Sequence, residues 1–207
     1  MAQVSFDDLV TKAVAGESLI SFPTDTVPAL AARPDRAELI FAAKQRSLDK
    51  PLILMAGEIA DVWPFVAGSS QERQEWQAIA EQYWPGALTL VLPASDRVPV
   101  AMNPKDPTTI GVRVPDHAIA RVILTRTGPL ATTSANLSGQ PPLLTLTEIE
   151  QQFPQVLTMR PSELQQLAAS IPGEAKELAA SGVPSTVIRW TSSGWEILRQ
   201  GAISVSL

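Results

Sequence analysis

Three cations, Lys44, Arg46 and Lys50, crowd into seven consecutive residues. A Lys-x-Arg pair, with an arginine that can fork onto two oxygens and a third cation nearby, suits a polyphosphate. A solvated helix end would carry the same residues, because cations favour the negative end of the helix dipole. A second polar concentration, Thr133, Ser134, Asn136 and Ser138, is too rich in hydroxyls for a buried strand and suits a loop of neutral donors around an anion. A third is Pro23-Thr-Asp-Thr-Val-Pro28, with two threonines and one carboxylate. It reads equally well as a pocket loop following a strand or as a turn whose Thr and Asp side chains bond the backbone. Arg113 stands near Gly111 in the alternating run Thr109 to Val114, where it could clamp a carboxylate or face solvent.

The elements that would position these groups follow from period and punctuation. Helices are expected from Ser5 to about Gly16, from about Arg36 to Lys44, from Ser70 to Trp84, from His117 to about Thr127, and from about Ser162 onward. Thr147-Glu-Ile-Glu150 reads as a capping box opening a further helix. Strands are expected at Leu19–Phe22, Leu52–Met55, Leu88–Leu92, Thr109–Val114 and Leu130–Thr132, with a hairpin from Ser185 to Arg199. Thr109, Gly111 and Arg113 then share one face while Ile110, Val112 and Val114 fill the other. Ala168 to Gly182 reads as irregular and Gly201 to Leu207 as a short tail. The tryptophans read as core rather than stacking platforms.

Composition narrows the chemistry. The 207 residues include no cysteine and one histidine, so thiol catalysis, thiolate metal sites, a multi-histidine metal site and a serine triad of the usual kind are all disfavoured. A formal net charge of -5 argues against broad, non-specific binding of nucleic acid. No apolar run is long enough to span a membrane, no signal-peptide pattern opens the chain, and a cytoplasmic location fits. Whatever reaction occurs must rest on positioning and charge.

Taken together, Pro23-Thr-Asp-Thr26, Lys44-Gln-Arg46 through Lys50-Pro-Leu52, Trp84-Pro-Gly86, Gly111-Val-Arg113, Ser134-Ala-Asn136 with Ser138-Gly139, Ser185-Thr-Val187 and Leu198-Arg199 resemble the YrdC/TsaC family of threonylcarbamoyl-AMP synthases. They occur in the family's order and span nearly the whole chain. The resemblance implies an α/β (α+β) fold: a single YrdC-like domain over residues 1–207, with a twisted mixed sheet, helices packed around it and a deep concave ligand site. It implies joining of L-threonine, bicarbonate or CO2, and ATP into threonylcarbamoyl-adenylate, with pyrophosphate released and the product passed on to modification of adenosine 37 of tRNA. By position, Lys44 and Arg46 would be catalytic. Arg46, Lys50, Thr109, Ser134, Asn136 and Arg199 would bind ATP, and Thr26, Arg113, Thr132 and Ser185 would bind threonine. Mg2+ would arrive on the ATP phosphates, with no dedicated protein site assigned.

The sequence departs from the family pattern at identifiable points. Pro28 and Ala29 stand where an aromatic residue and a glycine are usual, removing a platform and restricting the backbone. Ser47 follows Arg46 in place of proline, Met55 occupies a position where some members carry histidine, and Arg189 replaces an acid. These departures raise a second expectation: a diverged member that binds a nucleotide, tRNA or double-stranded RNA without the synthase reaction.

Overall fold

Ser5 opens the chain's first helix, α1 (Phe6–Ala15): its side chain accepts from the Asp8 N–H, Asp7 and Asp8 occupy the first turn, and Gly16 ends it in the left-handed region. The computed structural model describes residues 3–171 and 180–206. Those residues also form α2 (Glu38–Lys44), α3 (Ser70–Tyr83), α4 (Ala118–Thr127), α5 (Leu146–Gln152) and α6 (Pro161–Ser170). The strands are β1 (Gln3–Val4), β2 (Ile20–Phe22), β3 (Ala29–Ala32), β4 (Ile53–Met55), β5 (Leu88–Pro93), β6 (Thr109–Arg113), β7 (Leu130–Ser134), β8 (Thr158–Met159), β9 (Thr186–Thr191) and β10 (Gly194–Arg199).

Eight strands make one mixed sheet in the order β10-β9-β5-β6-β4-β7-β3-β2, while β1 and β8 pair separately. The pairs β4–β6 and β5–β9 are parallel and the other pairs of the large sheet antiparallel. Alternation along the strands assigns the two faces. Leu30, Leu54, Leu90, Ile110, Val112 and Ile188 point into one apolar layer, closed by Ile40 and Phe41 of α2, Trp76 and Ala80 of α3, and Ile149 of α5. Ile20, Phe22, Ala29, Ala31, Met55 and Leu130 point to the opposite side, where Leu9 and Ala13 of α1 and Ile119, Ile123 and Leu124 of α4 cover them. Among the described residues that second cover involves no buried residue of β5, β6 or β9, so those strands present a face that the described helices leave open. The concavity lies there.

Four sequence expectations need correction. Ala29–Ala32 is a buried strand between β2 and β7, although the sequence analysis placed no element there. The capping box of α5 is made by Thr145 and Glu148, two residues earlier than expected. Glu150 is otherwise occupied, accepting from Gln3 at 2.9 Å and Thr158 at 2.6 Å. The segment from Gly201 is no free tail, since Ile203 and Val205 pack on the main core and the Ser206 N–H donates to Tyr83 Oη at 3.1 Å. Ala168–Ser170 completes α6, whereas residues 172–179 of the expected irregular stretch lie outside the described residues. Trp76 and Trp84 are buried in the core as expected.

Candidate active site

The open face of the sheet floors a cavity of about 590 Å3. Register places a continuous row across it, Arg189–Val91–Gly111–Ile53–Thr132, contributed by β9, β5, β6, β4 and β7. Thr109, Gly111 and Arg113 face the cavity while Ile110, Val112 and Val114 are buried behind, as the alternation predicted. Of the residues singled out from the sequence, Thr26, Arg46, Lys50, Thr109, Arg113, Thr132, Ser134, Ser185 and Arg199 all line this one cavity. Lys44 and Asn136 do not; they sit behind its wall.

The reason is a single backbone turn. Gln45 ends α2 with φ 48° and ψ 42°, a left-handed conformation that is uncommon for a residue with a Cβ. The turn sends Lys44 inward and Arg46 outward. Lys44 is buried, and its Nζ donates to the Ser134 carbonyl and to Asn136 Oδ1 at 3.2 Å. Burial, with Arg46 and Lys50 adding repulsion, pulls its pKa down to about 7. Asn136 is held by its own loop, donating from Nδ2 to the carbonyls of Leu137 at 2.8 Å and Gln140 at 2.6 Å, while its Oδ1 also accepts from Ser134 Oγ at 2.5 Å. Arg46 is fixed by the carbonyls of Lys50 and Pro51, both at 3.0 Å, and Lys50 Nζ reaches Ser138 Oγ at 3.0 Å. Among the described residues, none of these three cations is in an ion pair. Asp49, which lines the same cavity, acts on Arg46 and Lys50 through space, and an arrangement in which the cations' direct contacts are neutral can take an anion.

Arg113 sits in the opposite kind of surroundings. It is buried, and its Nη2 meets Asp25 Oδ1 at 2.6 Å, its Nη1 meets Thr26 Oγ1 at 2.9 Å, and its Nε meets the Gly86 carbonyl at 3.0 Å. Three of its five guanidinium N–H groups are thereby used among the described residues. Ser185 lies close to this group: its hydroxyl exchanges a hydrogen bond with Thr89 at 2.9 Å, and its carbonyl accepts from Arg199 Nη2 at 2.7 Å and Nε at 3.2 Å. Thr132 Oγ1 donates to the Ile53 carbonyl at 3.0 Å. Thr109 Oγ1 donates to Asp106 Oδ2 at 3.0 Å and accepts from Asn103 at 3.2 Å.

Asp25, Thr89 and Asp106 belong to the site but were not singled out in the sequence. Asp25 had a signal, being the one carboxylate in the Pro23–Pro28 loop. Thr89 had none, since it looks like any polar residue in an alternating strand. The departures also find their places. Ala29 sits in β3, paired with Phe22 and Ser134, so its backbone is extended and needs no glycine. Pro28 precedes the strand and offers its carbonyl to the Ala135 N–H at 2.8 Å, a role open to proline. Arg189 is matched across the hairpin by Glu196, its register partner, at 2.7 Å. Met55 lines the cavity floor.

Comparison with known proteins points one way. The Sua5/YciO/YrdC family model, described as telomere recombination, matches residues 12–201. A protein of Vibrio campbellii named threonylcarbamoyl-AMP synthase is 37% identical over 148 residues, which cover 70% of this chain and 79% of that protein. The structure of P. abyssi Sua5 complexed with L-threonine superposes with a TM-score of 0.75 at 27% identity over 95% of this chain, which spans 54% of that one. E. coli YciO, at 22% identity and a TM-score of 0.73 over 95% of this chain and 88% of that one, shares the fold.

Proposed function

Because the chain belongs to the Sua5/YciO/YrdC family, we propose that it is a threonylcarbamoyl-AMP synthase, a nucleotidyltransferase that joins L-threonine, bicarbonate and ATP and whose product serves tRNA modification. The observation that carries this reading is one cavity with two unlike ends. One end is a buried arginine–carboxylate network, and the other is a cluster of cations that, among the described residues, forms no direct ion pair.

The chemistry asks for that arrangement. Threonine's amine adds to CO2 with loss of a proton, giving a carbamate. A carbamate oxygen then attacks the α-phosphorus of ATP, and the bond to pyrophosphate breaks. Such a displacement needs in-line positioning and neutralisation of phosphate charge more than it needs a protein base. Arg113 is proposed to grip the amino-acid carboxylate, with Thr26, Thr132 and Ser185 around it. Arg46 and Lys50 are proposed to take the phosphates, with Ser134, Thr109 and Arg199 completing the nucleotide's contacts. Lys44 and Asn136 shape the phosphate wall from behind: Lys44 Nζ holds the Ser134 carbonyl and Asn136 Oδ1.

Mg2+ is proposed to enter on ATP. Asn136 Oδ1 already accepts from Lys44 and Ser134, and among the described residues no three His, Cys, Asp or Glu side chains gather into a metal site. The donors present therefore fit a Mg2+ ion carried by phosphate oxygens and water rather than caged by protein. There it would offset charge on the phosphates being separated.

The test is pyrophosphate release from ATP with Mg2+ and bicarbonate, with and without L-threonine. Threonine-dependent release with a threonylcarbamoyl-adenylate mass is expected. ATP binding without threonine-dependent release would overturn the synthase reading and leave a nucleotide binder.

A further inference from the structure

The Ser185 wall of the cavity meets the sheet through side chains, the Thr89 hydroxyl and the Arg199 guanidinium. β9 begins one residue later, at Thr186, and the Thr186 N–H bonds the Ala87 carbonyl at 2.9 Å. The backbone of Pro184 and Ser185 is also covered by the segment after β10, which turns back over them. The Ala202 N–H donates to the Pro184 carbonyl at 2.9 Å. Thr186 Oγ1, fully buried and on the face away from the cavity, accepts from the N–H groups of Gly201 at 3.0 Å and Ile203 at 3.4 Å and donates to the Ile203 carbonyl at 2.5 Å. A Cβ on Gly201 would lie 2.3 Å from the Pro184 carbonyl oxygen and 2.4 Å from the Ser185 carbonyl oxygen. Both are backbone atoms that cannot swing aside, so the close approach requires glycine.

From these contacts we infer that Gly201 and Thr186 are positioning residues for the amino-acid end of the cavity. They latch the returning chain onto Pro184-Ser185 and so hold the Ser185 hydroxyl against Thr89 and its carbonyl against Arg199. Neither reaches the cavity itself. The other side of the same wall is tied to the amino-acid loop, with the Ser181 N–H on the Asp25 carbonyl at 3.0 Å and the Gly182 N–H on the Thr26 carbonyl at 2.9 Å. Ser185 therefore sits between two backbone attachments, and releasing the Gly201 side loosens its contacts with Thr89 and Arg199. Among the described residues neither Arg46 nor Lys50 contacts this latch, and the nucleotide end meets it through Arg199, so the amino-acid end carries the larger consequence. The assignment of that end to threonine rests on the proposed function; the latch itself does not.

Two measurements test it in Gly201→Ala and in the pair Thr186→Val and Thr186→Ser. Hydrogen exchange over residues 183–190 is expected to quicken in Gly201→Ala and Thr186→Val, while the α3 and β4 amides keep their protection. In the threonine-dependent reaction, KM for threonine is expected to rise about tenfold, the equivalent of one lost buried hydrogen bond, with a smaller rise of about threefold in the ATP Kd through Arg199. Thr186→Ser, which keeps the hydroxyl, is expected to restore both readouts. Unchanged exchange in the 183–190 segment, or equal weakening of threonine and ATP, would overturn the latch. If the parent protein makes no adenylate, the proposed function fails by that result, and the exchange data alone still decide whether the latch orders Ser185.

Discussion

The two ends of the cavity solve opposite electrostatic problems. Around Arg113 the protein has settled its own charges: Asp25 sits in contact, Thr26 and the Gly86 carbonyl take further N–H groups, and the guanidinium is buried. Around Arg46 and Lys50 the cations lean on carbonyls and a hydroxyl, with Asp49 acting on both through space and Lys44 buried behind them. The first end is held in place by its own network. The second keeps its cations out of direct ion pairs among the described residues, so that an anion can join them. A site built this way separates residues that hold the fold from residues that wait for ligand.

That separation is most exposed to Arg113→Met. The change leaves the Asp25 carboxylate without its partner in a largely buried position, and chemical denaturation is expected to show a loss of about 3 kcal/mol. Equal stability of variant and parent would mean that Asp25 is solvated and the end is not preorganised. Arg46→Ala should do the reverse. Stability is expected to stay within about 0.5 kcal/mol of the parent, while adenylate formation falls about a hundredfold or more. A folded Arg46→Ala protein with near-parent turnover would remove the phosphate role.

Acidity provides a third handle, one whose effect builds unit by unit with pH. Lys44 titrates at about 7 in the folded chain against 10.5 for an ordinary lysine. Below about 7 both states carry the proton, so the cost of burying the ammonium is felt in full. As pH rises from about 7 toward 10, only the unfolded chain keeps that proton, and stability gains at most about 1.4 kcal/mol per pH unit from this group. Denaturation of the ligand-free protein across that range is expected to show the rise, and Lys44→Met is expected to flatten it. The smallest effect belongs to Arg189→Ala. Its exposed pair with Glu196 is worth at most about 0.5 kcal/mol, and turnover is expected to stay within about twofold of the parent. A large loss of turnover would show that the reversed charge at this position has been recruited by the site.

Much of this was legible in the sequence where a pattern carried its own physics. The Thr109–Val114 alternation put Arg113 on the cavity face, and the residues singled out around Arg46, Lys50 and Ser134 come together on one cavity, with Ser134 ending β7 rather than lying in a loop. What was not legible depended on partners far along the chain. β3 is Ala-Leu-Ala-Ala, with small residues of low strand propensity, and it is a strand because β2 and β7 flank it. Thr145 and Thr147 both stand three residues before a glutamate, and the choice fell to Thr145 because Glu150 serves Gln3 and Thr158. Lys44 and Arg46 looked equivalent until the left-handed Gln45 turned one inward.

The most direct measurement is a crossed calorimetric titration, ATP and L-threonine each into Arg46→Ala and Arg113→Met. The division of the cavity predicts reciprocal losses. Arg46→Ala should lose ATP affinity and keep threonine, while Arg113→Met, where folded, should lose threonine and keep ATP. Loss of both ligands from either variant, with the fold intact, would contradict it.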